Sequence, residues 1–175
     1  MRWVALGLVL SLLGVGVTGC GSGSGSSGGG SGSGNGGIVL TVKVDFTGGN
    51  PVTGTFKDTS FGSTSPTCAD YATKSQPFGT GFITPDPTNG GKFGGKEVSI
   101  QATIPNKKFH GPGTYGGATF LGLKIGQDLY ANGNDDPWTL VVKGDGSGSL
   151  AFSNAQGTAA SDVESGTMTW TCASS

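Results

Sequence analysis

The stretch Ile38-Val39-Leu40-Thr41-Val42-Lys43-Val44-Asp45-Phe46 decides the reading of this chain. Ile38, Leu40, Val42, Val44 and Phe46 fall on one side of a period of two, and Val39, Thr41, Lys43 and Asp45 on the other, which is the pattern of a half-buried β-strand. Gly48-Gly49-Asn50-Pro51 follows with turn chemistry, and 52–56 resumes the alternation, so the first two strands are expected to form an antiparallel hairpin. Further on, Val98, Ile100, Ala102 and Ile104 alternate with Glu97, Ser99, Gln101 and Thr103. Shorter runs at 78–83, 119–125, 138–143 and 149–153 read the same way, as does 163–172, where Met168, Trp170 and Cys172 share a face. Gly, Asn, Asp and Pro separate these runs. No window of eleven or more residues keeps helical spacing; the one helical signal is Ser65-Pro66-Thr67-Cys68-Ala69-Asp70-Tyr71-Ala72, with Ser65 as cap and Pro66 in the first turn. About eight antiparallel strands, each with one apolar face, must close that face on another sheet or on themselves. The expectation is an all-β sandwich, or a flattened barrel.

Upstream of Ile38 the composition changes twice. Residues 21–37 are ten Gly, six Ser and one Asn, with nothing to bury, so they are expected to form a disordered tether. Before them, Arg2 precedes an apolar run over 4–17 that is too short for a membrane-crossing helix, which needs about 20 apolar residues, but suits the hydrophobic core of a secretory signal. The run stops at Val17-Thr18-Gly19-Cys20, which resembles the bacterial lipobox. That resemblance implies cleavage before Cys20 and a diacylglyceryl thioether on its sulfur, two acyl chains being what stable anchoring requires. The expected organisation is therefore a signal peptide at 1–19, a lipidated Cys20 with its linker to residue 37, and a β domain over 38–175, exported and held on the extracytoplasmic side of a membrane.

Val, Ile, Leu and Phe supply 28 of the 138 domain residues, close to the roughly 20% below which chains tend not to fold, so the core is lean. A lean core invites a covalent staple. The chain has three Cys, and with Cys20 lipidated the remaining Cys68 and Cys172 are expected to pair in the oxidising compartment outside the cell. The spacing is far from C-x-x-C and the chain has one His, which speaks against a redox pair or a metal site.

The remaining chemistry is sparse. A formal net charge of -1, with no Arg after Arg2, offers no basic surface for phosphates, so nucleic acid is not an expected partner, and no polybasic run marks a membrane patch. Gly25-Ser26-Ser27-Gly28-Gly29 matches the G-x-S-x-G nucleophile pattern but lacks the strand and helix that motif requires. His110, the lone histidine, sits in the turn Lys107-Lys108-Phe109-His110-Gly111-Pro112-Gly113 and reads as a solvated residue. Asp128, Asp135, Asp136, Asp145, Asp162 and Glu164 offer carboxylates for a glycosidase-like mechanism, but read as turn residues with no pair singled out. Asn132, Asn134, Asp135 and Asp136 concentrate oxygen atoms as a weak calcium candidate without the EF-hand order. No cofactor motif is present. Among the aromatics, Trp138 and Trp170 are in phase with core positions, which leaves Tyr115 and Tyr130, set among glycines and acids, as the expected exposed pair for stacking on a sugar or lipid.

The lipobox, the low-complexity spacer and a Gly/Thr-rich β domain with two Cys, the second almost at the end, together resemble the mycobacterial LpqH-type lipoprotein antigens. Val52-Thr53-Gly54-Thr55 and Met168-Thr169-Trp170-Thr171-Cys172-Ala173-Ser174 carry the local likeness, although Cys68 comes about 14 residues after Thr53-Gly54 rather than within that strand. The resemblance implies a surface lipoprotein without known catalysis, recognised by innate immune receptors through its acyl groups. The leading expectation is thus a non-enzymatic β domain for binding, adhesion or envelope interaction, with a glycan, lipid or protein partner. A sugar- or lipid-binding accessory module is the alternative, followed by a carboxylate-dependent hydrolase.

Overall fold

The computed structural model describes residues 37–63, 65, 67–74, 80–116, 121–131, 138–157 and 162–174. Strands run in the order β1 (Ile38–Gly48), β2 (Val52–Asp58), β3 (Thr80–Ile83), β4 (Lys92–Phe93), β5 (Lys96–Pro105), β6 (Gly113–Gly116), β7 (Leu121–Ile125), β8 (Asp128–Ala131), β9 (Trp138–Val142), β10 (Gly148–Gly157) and β11 (Val163–Ser174). The expected β1–β2 hairpin is present, with Leu40 opposite Asp58 and Phe46 opposite Val52. All pairings are antiparallel, and the main ladder follows β2-β1-β11-β10-β8-β7-β5-β3 as one curled sheet. Both sides of the core therefore belong to a single continuous sheet.

Three of the strands lie where the sequence pattern showed only turns: β4, β6 and β8, each of two to four residues. Too short to display an alternation, they exist because a neighbour supplies their pairing. β10 supplies part of the pairing of β8 directly and, through β9, the place of β6. Along one edge it pairs with β9 over Gly148 to Phe152 and with β8 at Gln156 and Gly157. A bulge between Phe152 and Ala155, with Asn154 at φ 58°, separates the two partners. The sheet forks there, β8 leading on to β7 and β9 to β6.

Inward-facing residues carry the core: Ile38, Leu40, Val42, Val44 and Phe46 of β1 and Val98, Ile100, Ala102 and Ile104 of β5 are all buried, as the alternation required. Among the described residues no backbone ladder joins β2 to β3 or β4. Side chains close that seam instead: Phe93 packs edge-on to Phe56 at 5.7 Å and over Gly54, where any Cβ would lie 2.3 Å from its ring. Beside them, the amide N–H of Asp86 donates to the buried Asp58 carboxylate at 3.4 Å.

The ladder registers define two ends. At one lie the start of β1, opposite the last residues of β11, and the β9–β10 turn. A short helix α1 (Cys68–Thr73) covers this end, with Tyr71 and Ala72 fully buried and Tyr71 between Phe61 and Phe82. Its cap is Thr67, whose Oγ1 accepts the Asp70 N–H at 3.0 Å, rather than Ser65. Ser65 is buried and its N–H closes the preceding turn onto Phe61; Pro66 lies outside the described residues. Cys68 and Cys172 are bonded, Cα to Cα 5.8 Å, fixing the helix to the last strand. At the other end stand the β1–β2, β4–β5 and β7–β8 turns and the start of β11.

Candidate functional site

The second end is where polar side chains converge. Gly48 and Gly49 lead the chain over β11 so closely that a Cβ on Gly48 would lie 2.2 Å from the Val163 carbonyl and 2.8 Å from Glu164 Oε2. This brings Asn50 across the open end of the curl. Its backbone N–H donates to Glu164 Oε1. Its Nδ2 donates to Asp128 Oδ2 at 3.0 Å and to the Tyr130 hydroxyl at 2.7 Å, and its Oδ1 accepts from Lys96 Nζ at 3.0 Å. One residue thus ties β1–β2 to β5 and β8 through its side chain and to β11 through its backbone.

Glu164 is the unusual member. Counting back by twos from Trp170 and Met168 gives Gly166 and Glu164, so its side chain takes an inward, core-phased position and is fully buried. Oε2 has no hydrogen-bond partner among the described residues. Burial pushes this carboxyl above its ordinary value; the Asn50 N–H and the Lys96 ammonium oppose the shift, and Asp162 adds to it. Burial likewise raises the Tyr130 phenol, opposed by the bond from Asn50 and reinforced by the charges of Glu164, Asp128 and Asp162. Burial thus favours the protonated form of both groups.

The structure redistributes the residues singled out from the sequence. Tyr130 is 2% exposed and Tyr115 half-buried against the core, so the expected exposed aromatic pair does not exist. They occupy different arms of the fork, β8 and β6. Both lie on four-residue strands, too short for an alternation to show in the sequence. The Tyr115 hydroxyl donates to the Gly111 carbonyl and lies 3.4 Å from His110 Nδ1, while His110 itself is exposed as expected. Trp138 and Trp170 are buried, as their phase required. Of the six carboxylates, Asp128, Asp162 and Glu164 gather around Asn50 and Tyr130, whereas Asp145 caps the distant β9–β10 turn by accepting from Ser147. Glu164 is not a turn residue: its phase with Trp170, visible in the sequence, carries it to the inner face of β11. Asn132, Asn134, Asp135 and Asp136 lie outside the described residues, as does Cys20. Among the described residues no three His, Cys, Asp or Glu side chains converge to hold a metal ion, and no helix is long and apolar enough to cross a membrane.

Beside the cluster the outer face of β5, β7 and β8 forms an open groove of about 410 Å³. Ser99, Gln101, Lys124 and Ala131 line it, and Leu129, 52% exposed, stands on its rim as an exposed large apolar side chain. A smaller recess of about 200 Å³, lined by Lys92, Lys96, Glu97 and Gln127, adjoins the β4–β5 turn.

Family models, curated proteins and solved structures give no match to this chain.

Proposed function

We propose that this protein is an exported lipoprotein, anchored by a diacylglyceryl group on Cys20, whose β domain is displayed on the extracytoplasmic side of a membrane and acts by binding rather than catalysis. The supporting observation is how the three cysteines divide. Cys68 and Cys172 are consumed by a disulfide, which belongs in an oxidising compartment. The third, Cys20, stands at the end of a lipobox-like signal and before a Gly/Ser spacer. In cells, Cys20→Ala should move the protein from the membrane to the soluble fraction while the domain keeps its disulfide, and mass spectrometry of the parent chain should find the acyl mass on residue 20. Membrane retention of the variant, or a bare sulfur in the parent, would reject the anchor.

The groove beside Leu129 supports a second reading, a glycan- or lipid-binding accessory module, because it offers an apolar rim next to amide and hydroxyl groups. Binding to a glycan array or to lipid vesicles, lost in Leu129→Asp and Gln101→Ala, is the expected result. A chain that binds no member of either panel argues against this module.

A further inference from the structure

The fold sorts charge between its two ends in a way the sequence does not display. Lys107 and Lys108 are exposed in the turn after β5, and Lys143 is exposed in the β9–β10 turn. These turns are neighbours: a Cβ on Gly144 would touch the Pro112 ring at 3.9 Å, and Gly113 pairs with Val142. Phe109 packs on Phe82, and Phe82 on Trp170, joining them to the disulfide end, where Lys57 stands exposed opposite Thr41. Among the described residues the opposing charges are few: Asp70 is already paired with Lys74 at 2.8 Å, Asp58 is buried, and the exposed Asp145, which also accepts from Ser147, offsets Lys143 in the same turn and leaves Lys107, Lys108 and Lys57 unopposed by it. The opposite end has the reverse balance, with Asp45, Glu97, Asp128, Asp162 and the buried Glu164 against Lys92, Lys96 and Lys124.

The chain from Cys20 joins the domain at Ile38, which pairs with Ser174 at the basic end. Residues 21–37 reach at most about 60 Å when fully extended, so an anchor at Cys20 keeps the domain within that distance of the membrane surface. We propose that the basic end, with Lys107, Lys108 and Lys143 at its centre, is a contact surface for anionic lipid headgroups, and that it seats the domain end-on with the Asn50 cluster and the groove directed away from the bilayer. Lysines near an anionic leaflet are attracted within a Debye length, and the acidic end is repelled, so both ends favour the same orientation. This inference rests on the proposed anchor for its biological setting, but not for its test.

The full chain, coupled through its Cys20 thiol to a maleimide lipid, is placed on vesicles of phosphatidylcholine alone or with phosphatidylglycerol at about 3:1 and treated with a water-soluble amine-acylating reagent. Labelling of Lys107, Lys108 and Lys143, read by mass spectrometry, should fall at least about threefold on the anionic vesicles and recover in about 0.5 M salt, with Lys92 unchanged. Lys107→Glu with Lys108→Glu should abolish the protection at Lys143, whereas Lys92→Glu at the acidic end should leave it intact. Equal labelling on both vesicle types, protection that survives salt, or protection centred on Lys92 would overturn the proposal. Chemical coupling keeps this result separate from the anchor, which is judged by flotation of the chain isolated from cells.

Discussion

The two ends of the β domain are closed by different means. At the disulfide end a covalent bond, a capped helix and the ring series Phe61, Tyr71, Phe82 and Trp170 fill the opening of the curl. At the other end a half-buried asparagine draws three elements together by hydrogen bonds, around a carboxylate placed where a core residue would stand. Apolar closure is tolerant of pH; polar closure is not. The contrast suggests that the first end holds the fold and that the second is where its stability responds to conditions.

The largest test of this contrast is to cut the staple. Cys68 and Cys172 are 104 residues apart, and a loop of that size contributes on the order of 4 kcal/mol through the entropy of the unfolded chain. Cys68→Ser with Cys172→Ser should lower the urea midpoint accordingly. Hydrogen exchange should rise most in the last residues of β11 and in α1. If exchange rises equally at the Asn50 cluster, the two ends are not separable.

A glycine at each end sharpens the comparison. Gly146 and Gly126 both take positive φ, 77° and 64°. A Cβ on Gly126 meets nothing within 4 Å, so Gly126→Ala should cost only the left-handed backbone term, about 1 kcal/mol. On Gly146 it would lie 2.6 Å from the Cys68 carbonyl and 3.0 Å from the Cys68 Cβ, while the Gly146 carbonyl accepts the Trp170 indole N–H at 2.9 Å. Gly146→Ala should therefore cost about 3 kcal/mol in thermal or chemical unfolding. Equal costs would mean that the disulfide end yields as readily as an open turn.

At the polar end, Asn50→Ala removes every side-chain bond of the hub and leaves the buried Tyr130 hydroxyl without its donor. A loss of about 2 kcal/mol is expected from two or three such bonds, read by chemical unfolding. Asn50→Asp keeps the shape but sets a third charge beside Asp128 and Glu164, and it should be worse at pH 7 than the alanine variant.

Much of this architecture was legible because long strands announce themselves. β1, β5 and β11 carry five, four and three alternating apolar positions, and the hairpin turn sits between β1 and β2 in plain sight. The disulfide followed from counting cysteines. What escaped was short or depended on a neighbour: β4, β6 and β8 are too brief for a period to appear, and with them went Tyr115 and Tyr130. The polar end escaped for a different reason. Asn50, Lys96, Asp128 and Glu164 are spread over 114 residues and meet only because the sheet curls. Its one local sign was an acid in phase with Trp170.

That acid gives the smallest effect, and its sign is the informative part. The folded Glu164 carboxyl titrates above its ordinary value because burial disfavours the charge, and Asp162 adds to this, while Lys96 and the Asn50 N–H offset it. The protonated form thus fits the fold better, so the stability it contributes is complete below the ordinary glutamate range and is lost as pH rises through the raised value. Glu164→Gln retains an acceptor for the Asn50 N–H and removes the buried charge. It should match the parent at pH 4 and exceed it at pH 8, where only the parent carries the buried charge. Asp128 and Tyr130 stand in the same cluster, so the comparison should be repeated in Asp128→Asn, where the Glu164→Gln gain should persist. A glutamine variant that loses stability at pH 8 would show Oε2 to be satisfied in solution, and the polar end would then be as insensitive to pH as the stapled one.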